Sequence, residues 1–201
     1  CLSAMSNRPI PAPILAALLV AAALPALAQT YSETVFIGFE ASGVTRDAFI
    51  RRGFNAVSCD LRPTQRPGPH LQCDVFNVLD AGWWLAILHP SCTYATCSAE
   101  WAYSDPDYDR YPGVGYHQKV KPGTLTGQAR REAREAAVAD FERCIKCNAK
   151  HVAAENPKGC MSRRIRKPEQ IIQPYQFGDD ASKETHLWLK RLPPLYADPR
   201  L

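Results

Sequence analysis

From residue 31 onward the hydrophobic positions fall in short runs that stop at small or acidic residues, with helical periods between some of them. Val35-Phe36-Ile37 is a β-branched and aromatic run ending at Gly38, and Val44, Ala48 and Phe49 then share one face of a helix over Val44–Arg52. Gly53 closes that helix, Phe54–Cys59 reads as a second strand, and Asp60 stands at its carboxyl end. A proline-rich connection from Arg62 to Pro69 leads to a short third strand over Leu71–Val75 and a helical turn over Val75–Leu79. Trp83–Leu88 is continuously apolar, the pattern of a strand buried on both faces of a parallel sheet, and it ends in His89-Pro90-Ser91-Cys92.

Between Ser98 and Gly127 the apolar period disappears among Tyr, Asp, Gly, Pro and Lys, which reads as a long loop, functional or disordered. Thr126 or Gly127 then caps a helix over Gln128–Cys147 whose expected buried stripe is Ala133, Ala136, Ala137, Phe141, Cys144 and Ile145. His151–Ala154 is another buried strand stopping at Glu155-Asn156-Pro157, and Ile171-Ile172 and His186–Leu189 are the last strand candidates. Strands alternating with helices predict an α/β fold, a three-layer sandwich around a mostly parallel sheet. No internal repeat is visible.

The first thirty residues do not share this pattern. Met5–Ala28 has Arg8 in a short polar start, an apolar run from Ile14 to Leu24, and Ala26-Leu27-Ala28 before Gln29, which resembles a secretory signal peptide. The run is short for a membrane span, so no membrane association is expected once it is removed. Residues 1–30 are therefore set apart as a signal-like or non-native segment, and 31–201 as one domain.

A chain of 201 residues with 46% hydrophobic and 22% charged side chains excludes intrinsic disorder, collagen and a polytopic membrane protein. The net charge of +4 permits nucleic-acid contact without demanding it. Eight cysteines occur at irregular spacing. Cys144 and Cys147 form a C-x-x-C to which a zinc site would have to add His151 and Cys160, but packed thiols on one helix face are the simpler reading and no metal is expected.

In open α/β sheets ligands bind beyond the carboxyl ends of the strands, so the residues following each strand carry the candidate chemistry. The first strand is followed by the small-residue turn Gly38-Phe39-Glu40-Ala41-Ser42-Gly43-Val44, the second by Asp60 and the third by Asp74. Taken singly, the turn reads equally as a turn and each acid as a cap or a solvated residue. In order, they suit a nucleoside cofactor, with Asp60 placed to accept from ribose hydroxyls. The fourth strand delivers Cys92 and the fifth Glu155. A thiolate can add to an electron-poor ring carbon if an acid supplies a proton to the ring nitrogen, although a buried thiol and an arginine-paired glutamate are the plain alternatives.

These residues together resemble the cytosine-C5 DNA methyltransferases. Gly38 to Phe49, GFEASGVTRDAF, is similar to their first motif, which implies S-adenosylmethionine contacts at Phe39, Glu40, Ser42, Gly43 and Val44. Asp60, with Leu61, matches the acid on the cofactor ribose; Asp74-Val75 matches the Asp that meets adenine. Pro90-Ser91-Cys92 matches the nucleophile motif, with Pro90 against the cofactor, and Glu155-Asn156 the Glu-Asn motif that protonates cytosine. From Phe36 to Leu195, about four fifths of the chain, the sequence looks more closely like small phage and prophage methyltransferase-like proteins, in its HPSCTY, ENP, QPYQFGDDASK, LWLK and LPPL segments.

The resemblance implies a Rossmann-like, S-adenosylmethionine-dependent DNA (cytosine-5-)-methyltransferase in which Cys92 attacks C6 of a flipped cytosine and Glu155 steadies N3. It implies DNA contacts at Thr93, Tyr94, Asn156 and Lys183 and in the basic cluster Arg163, Arg164, Arg166 and Lys167. Ala41, Val44 and Ser91 depart from the larger enzymes, and Lys183, Glu184 and His186 replace an arginine-containing motif. Only Leu189–Leu201 follow Trp188, so no separate target-recognition domain is expected, and DNA recognition is minimal or supplied by a partner protein. The alternative is a catalytically idle module of the same fold that binds nucleic acid or nucleotide. The cofactor and intracellular DNA place the protein in the cytoplasm, whereas the leader-like segment points to export.

Overall fold

A computed structural model of the chain describes residues 34–97, 100–104 and 123–197. The leader-like segment, and the expected loop at 98–99 and 105–122, lie outside the described residues. The fold is α/β around one seven-stranded, mostly parallel sheet. In chain order the strands are β1 (Thr34–Gly38), β2 (Asn55–Asp60), β3 (His70–Gln72), β4 (Leu85–Leu88), β5 (His151–Pro157), β6 (Gln170–Ile172) and β7 (Thr185–Lys190). The helices are α1 (Val44–Ile50), α2 (Gly127–Lys146) and the single turn α3 (Met161–Arg164).

The sheet order is β3-β2-β1-β4-β5-β7-β6, and β7 alone runs against its neighbours. Between β6 and β7 the chain forms one 3-10 turn, Pro174–Phe177, rather than the crossover helix that usually returns a strand in parallel. Side chains alternate across the sheet as the two-residue period requires. Val35, Ile37, Leu85, Ile87, Ala153, Leu187 and Leu189 pack on one face with Phe49 of α1. Phe36, Ala86, Leu88, Val152, Ala154 and Trp188 pack on the other with Phe141 and Cys144 of α2.

The expected stripe of α2 changes. The buried residues of α2 are Gly127, Arg130, Phe141 and Cys144, whereas Ala136 is exposed. Arg130 and Arg134, not Ala136, continue the i, i+3/i+4 stripe, because they meet tyrosine rings instead of aliphatic core. Of the residues a zinc site would need to recruit, His151 opens β5 and Cys160 lies beyond the other end of that strand, which is about 20 Å long at the strand rise. Among the described residues no cluster of three or more His, Cys, Asp or Glu could hold a metal ion.

The proline-rich connection after β2 is pinned by a residue the pattern did not single out. Arg46 on α1 is fully buried, and its guanidinium donates to Ser58 Oγ (3.3 Å), Thr64 Oγ1 (3.2 Å) and the carbonyls of Arg66 (3.2 Å) and Pro67 (3.0 Å), with Asp47 as counter-ion at 2.8 Å. Gly68 makes room for it, since a Cβ there would sit 2.7 Å from the guanidinium. Replacing Arg46 by Met orphans several buried acceptors at once. The expected loss is roughly 3 kcal/mol of folding free energy, read as a lower urea midpoint at unchanged m-value.

Candidate active site

β1, β4 and β5 run parallel and in register, so Gly38 lies beside Leu88 and Leu88 beside Ala154. The residues that come next, Phe39 and His89 just beyond β1 and β4 and Glu155 still within β5, lie on adjacent strands roughly 4.8 Å apart. β1 and β4 also flank the point where successive strands change direction across the sheet, the place where open α/β sheets leave a crevice. A cavity of about 510 Å³ lies there. One half is lined by Phe39, Glu40, Ala41, Ser42, Thr45, Arg62 and Gln65; the other by Cys92, Thr93, Glu155, Pro157 and Lys183, with His89, Pro90 and Ser91 between.

In the second half a thiol, an imidazole and a carboxyl share one space. His89 Nδ1 lies 3.6 Å from Glu155 Oε2, and both of its ring nitrogens are buried without a hydrogen-bond partner. The His89 backbone N–H donates to Gly38 O at 3.2 Å, which ties β4's end to the turn after β1. Cys92 opens a turn: its carbonyl accepts from the N–H groups of Ala95 (2.9 Å) and Thr96 (3.2 Å). Fully buried Asn156 donates from Nδ2 to the carbonyl of Pro90 at 3.4 Å.

The segment beyond Cys92 is held from two sides. Thr96 bridges Gly159, and Cys160 N–H donates to Ala95 O at 2.8 Å, so the turns after β4 and β5 are joined. On the other side Tyr94 O accepts from Tyr103 Oη (2.7 Å) and Arg134 Nε (3.3 Å), while Arg134 stacks 3.3 Å from the Tyr103 ring centre and Arg130 faces both rings. Nucleophilic addition with proton transfer is the chemistry such a set of side chains can perform.

Of the residues singled out from sequence, Phe39, Glu40, Ser42, Pro90, Cys92, Thr93, Glu155 and Lys183 line this cavity. The others do not. Gly43 is the left-handed cap residue of α1, at φ 71°, and the Val44 N–H is taken by Ser42 Oγ at 3.2 Å. Leu61 is exposed, and Val75 packs in the core beneath the sheet edge. Asp74 accepts from the Phe76 N–H at 2.9 Å and caps the 3-10 turn Val75–Asn77, as short polar residues at such positions do. The expected DNA contact at Asn156 is corrected: with no exposed surface, that side chain positions Pro90 instead. Tyr94 is engaged in docking its own loop.

Asp60 stands at the end of β2 with its carboxylate filled by Arg62, which donates from its backbone N–H (2.9 Å), Nε (3.0 Å) and Nη2 (3.2 Å). Burial pushes its pKa up, but the Arg62 hydrogen bonds and charge together hold it below the ordinary Asp value. A depressed folded pKa contributes stability that is full above the unfolded value, about 3.9, and is lost as pH falls through the folded one. Arg62→Met should therefore flatten the acid limb of stability below about pH 4, measured as urea midpoint against pH.

The basic cluster is already partly neutralised. Arg164 pairs with Glu135, Arg166 with Glu169, and Lys158 lies 3.6 Å from Glu184, while Arg163 and Lys167 are exposed. Glu184 also accepts from His186 Nε2 (2.7 Å), whose Nδ1 lies 3.1 Å from Ser162 Oγ. That imidazole first, then Lys158, holds the Glu184 carboxyl below its usual range. His89, Arg46, Arg134 and Gly159 are the important residues that sequence reasoning passed over. For His89 a signal existed, since it immediately precedes Pro90 at the end of a buried parallel strand.

No family model and no curated protein matches the chain. Among solved structures, one described as "Co-crystal structure of WbdD and kinase inhibitor LY294002" is similar over 88% of this chain at 11% identity, with a TM-score of 0.40. This chain spans 40% of the length of that one. None of the helices among the described residues is long and apolar enough to cross a membrane.

Proposed function

We propose that the protein is an S-adenosylmethionine-dependent DNA (cytosine-5-)-methyltransferase of phage type, built on a Rossmann-like methyltransferase fold and acting in the cytoplasm on DNA. The observation that carries this reading is the meeting of Cys92 and Glu155, 63 residues apart in the chain, in one cavity that also receives the Phe39–Ser42 turn. The residues present suit the cofactor. Phe39 offers an aromatic face, and Glu40 and Thr45 present buried polar atoms that no protein group satisfies. S-adenosylmethionine bound there supplies an electrophilic methyl group.

On this reading the half with Cys92 holds a cytosine turned out of its stack. The partly exposed Cys92 thiol gives up its proton to solvent and Sγ bonds to C6, while Glu155 holds a proton at N3, so that charge gathered in the ring is neutralised and C5 becomes nucleophilic. After methylation the C5 proton leaves to a base, the Sγ–C6 bond breaks, and the thiol is restored. His89, beside Glu155 and otherwise unpartnered, is the group placed to exchange protons with that carboxyl. Lys183 and Thr93 at the cavity, with the exposed Arg163 and Lys167 elsewhere on the surface, are the groups available to phosphates.

The test is to incubate the purified protein and cofactor with DNA containing 5-fluorocytosine, whose C5 cannot release a proton. A covalent protein–DNA adduct mapping to the Cys92 peptide supports the proposal; its absence, with no transfer of labelled methyl to ordinary DNA, overturns it. A second reading, an idle binding module of the same fold, draws on Asp60 and Asp74, whose carboxylates are engaged by Arg62 and by a backbone cap. Under it DNA is retained in a salt-dependent manner while neither adduct nor transfer occurs.

A further inference from the structure

The donor half of the cavity contains a charge requirement that the proposed reaction leaves unexplained. Glu40 is 6% exposed, in the turn that follows β1 and directly after Phe39. Its backbone N–H donates to Cys59 O at 3.0 Å, which fixes the residue beside β2. One carboxylate oxygen, Oε1, accepts from Ser42 Oγ; the other, Oε2, is buried with no partner. The second residue of α1, Thr45, is fully buried, lines the same half and also has an unpartnered hydroxyl.

A carboxylate accepts and never donates, so what completes Glu40 must carry N–H or O–H groups, and its burial favours a cation. The protein's own cations at the cavity are directed elsewhere or lie at the mouth: Arg62 is held by Asp60, and Lys183 is exposed. Among the described residues Glu40 belongs to no cluster of three or more His, Cys, Asp or Glu that could hold a metal ion. A sulfonium centre has three carbon substituents and no hydrogen to donate. A primary ammonium has three donors, enough to meet Glu40 Oε2 and leave others for Thr45 Oγ1.

We propose that Glu40, with Thr45, is the seat of the α-ammonium group of the ligand's amino-acid tail, so that this protein selects nucleosides carrying a charged amine over those without one. The inference rests on reading the cavity as an S-adenosylmethionine site and adds which atoms of the chain recognise which atom of the ligand.

The experiment is calorimetric and needs no turnover. The full chain is titrated with S-adenosylhomocysteine and with its deaminated counterpart, the same thioether nucleoside with hydrogen in place of the α-amino group. The wild type is expected to favour the amine by at least about 10-fold, as a hydrogen-bonded charge contact gives. In Glu40→Gln the preference should fall below about threefold, and in Glu40→Asp, which keeps the charge, it should stay above that of the Gln variant. A wild-type ratio near one overturns the seat while leaving the cofactor reading intact, as does a Glu40→Gln protein that weakens for both ligands equally. If neither ligand binds the wild type, the cofactor reading falls and the seat with it. Should Glu40→Gln not fold, the wild-type ratio and Glu40→Asp decide the matter.

Discussion

A Cys92→Ala protein is expected to transfer no measurable methyl group to DNA, a loss of at least about 10⁴-fold, while melting and binding S-adenosylhomocysteine as the wild type does. The reason lies in how the thiols are distributed. Cys59, Cys144, Cys147 and Cys160 are all buried, and desolvation pushes their thiols upward, Cys59 to about 12, so none of them offers a thiolate near neutral pH. Cys92 is partly exposed and lies in the cavity with Glu155. Its side chain belongs to neither hydrophobic cluster, so truncation removes the sulfur without opening a hole in the core. The 5-fluorocytosine adduct should vanish together with methyl transfer, because both need the Sγ–C6 bond. Undiminished transfer by Cys92→Ala would remove the covalent mechanism, whatever the protein binds.

The strands were readable because period-two burial and β-branched runs are local signals. Val35–Ile37, Trp83–Leu88 and His151–Ala154 were each bounded within a few residues, and their parallel alignment then brings Cys92 and Glu155 to one edge. The direction of β7 was not readable, because Thr185–Lys190 is as apolar whether it runs with β5 or against it. Nor was the stripe of α2: alanines suggest a core face, but Arg130 and Arg134 hold the inward positions because tyrosines 94 and 103, far away in sequence, receive them. The same limit applies to Asp60 and Asp74. Their places after strands suggested ligand contacts, yet Arg62 and the Phe76 N–H lie two residues away and reach them first. Charged and polar side chains are committed by neighbours that become neighbours only on folding, which is why the cavity's frame was legible and the state of several of its acids was not.

Gly159→Ala should damage both folding and chemistry although residue 159 does not line the cavity. A Cβ at this position would lie 2.0 Å from the carbonyl oxygen of Ala95 and 2.9 Å from the Cα of Thr96, backbone atoms that cannot swing aside as a side-chain end would. The clash falls on the Thr96–Gly159 bridge and on the Cys160 N–H to Ala95 O hydrogen bond, the contacts that join the turn after β4 to the turn after β5. Relief requires the two turns to part, leaving buried backbone groups unpaired, so a loss of roughly 3 kcal/mol in the urea unfolding free energy is expected. Cys92 is anchored through that same turn, whose Ala95 and Thr96 N–H groups close on its carbonyl. Moving it by about 1 Å relative to Glu155 is enough to slow adduct formation by roughly 100-fold in the molecules that remain folded. Unlike Cys92→Ala, this variant should still form the adduct slowly, and low temperature or added S-adenosylhomocysteine should recover part of its stability. A Gly159→Ala protein with wild-type stability and rate would mean that the two turns are not rigidly coupled, and that Cys92 is positioned by the tyrosine and arginine contacts alone.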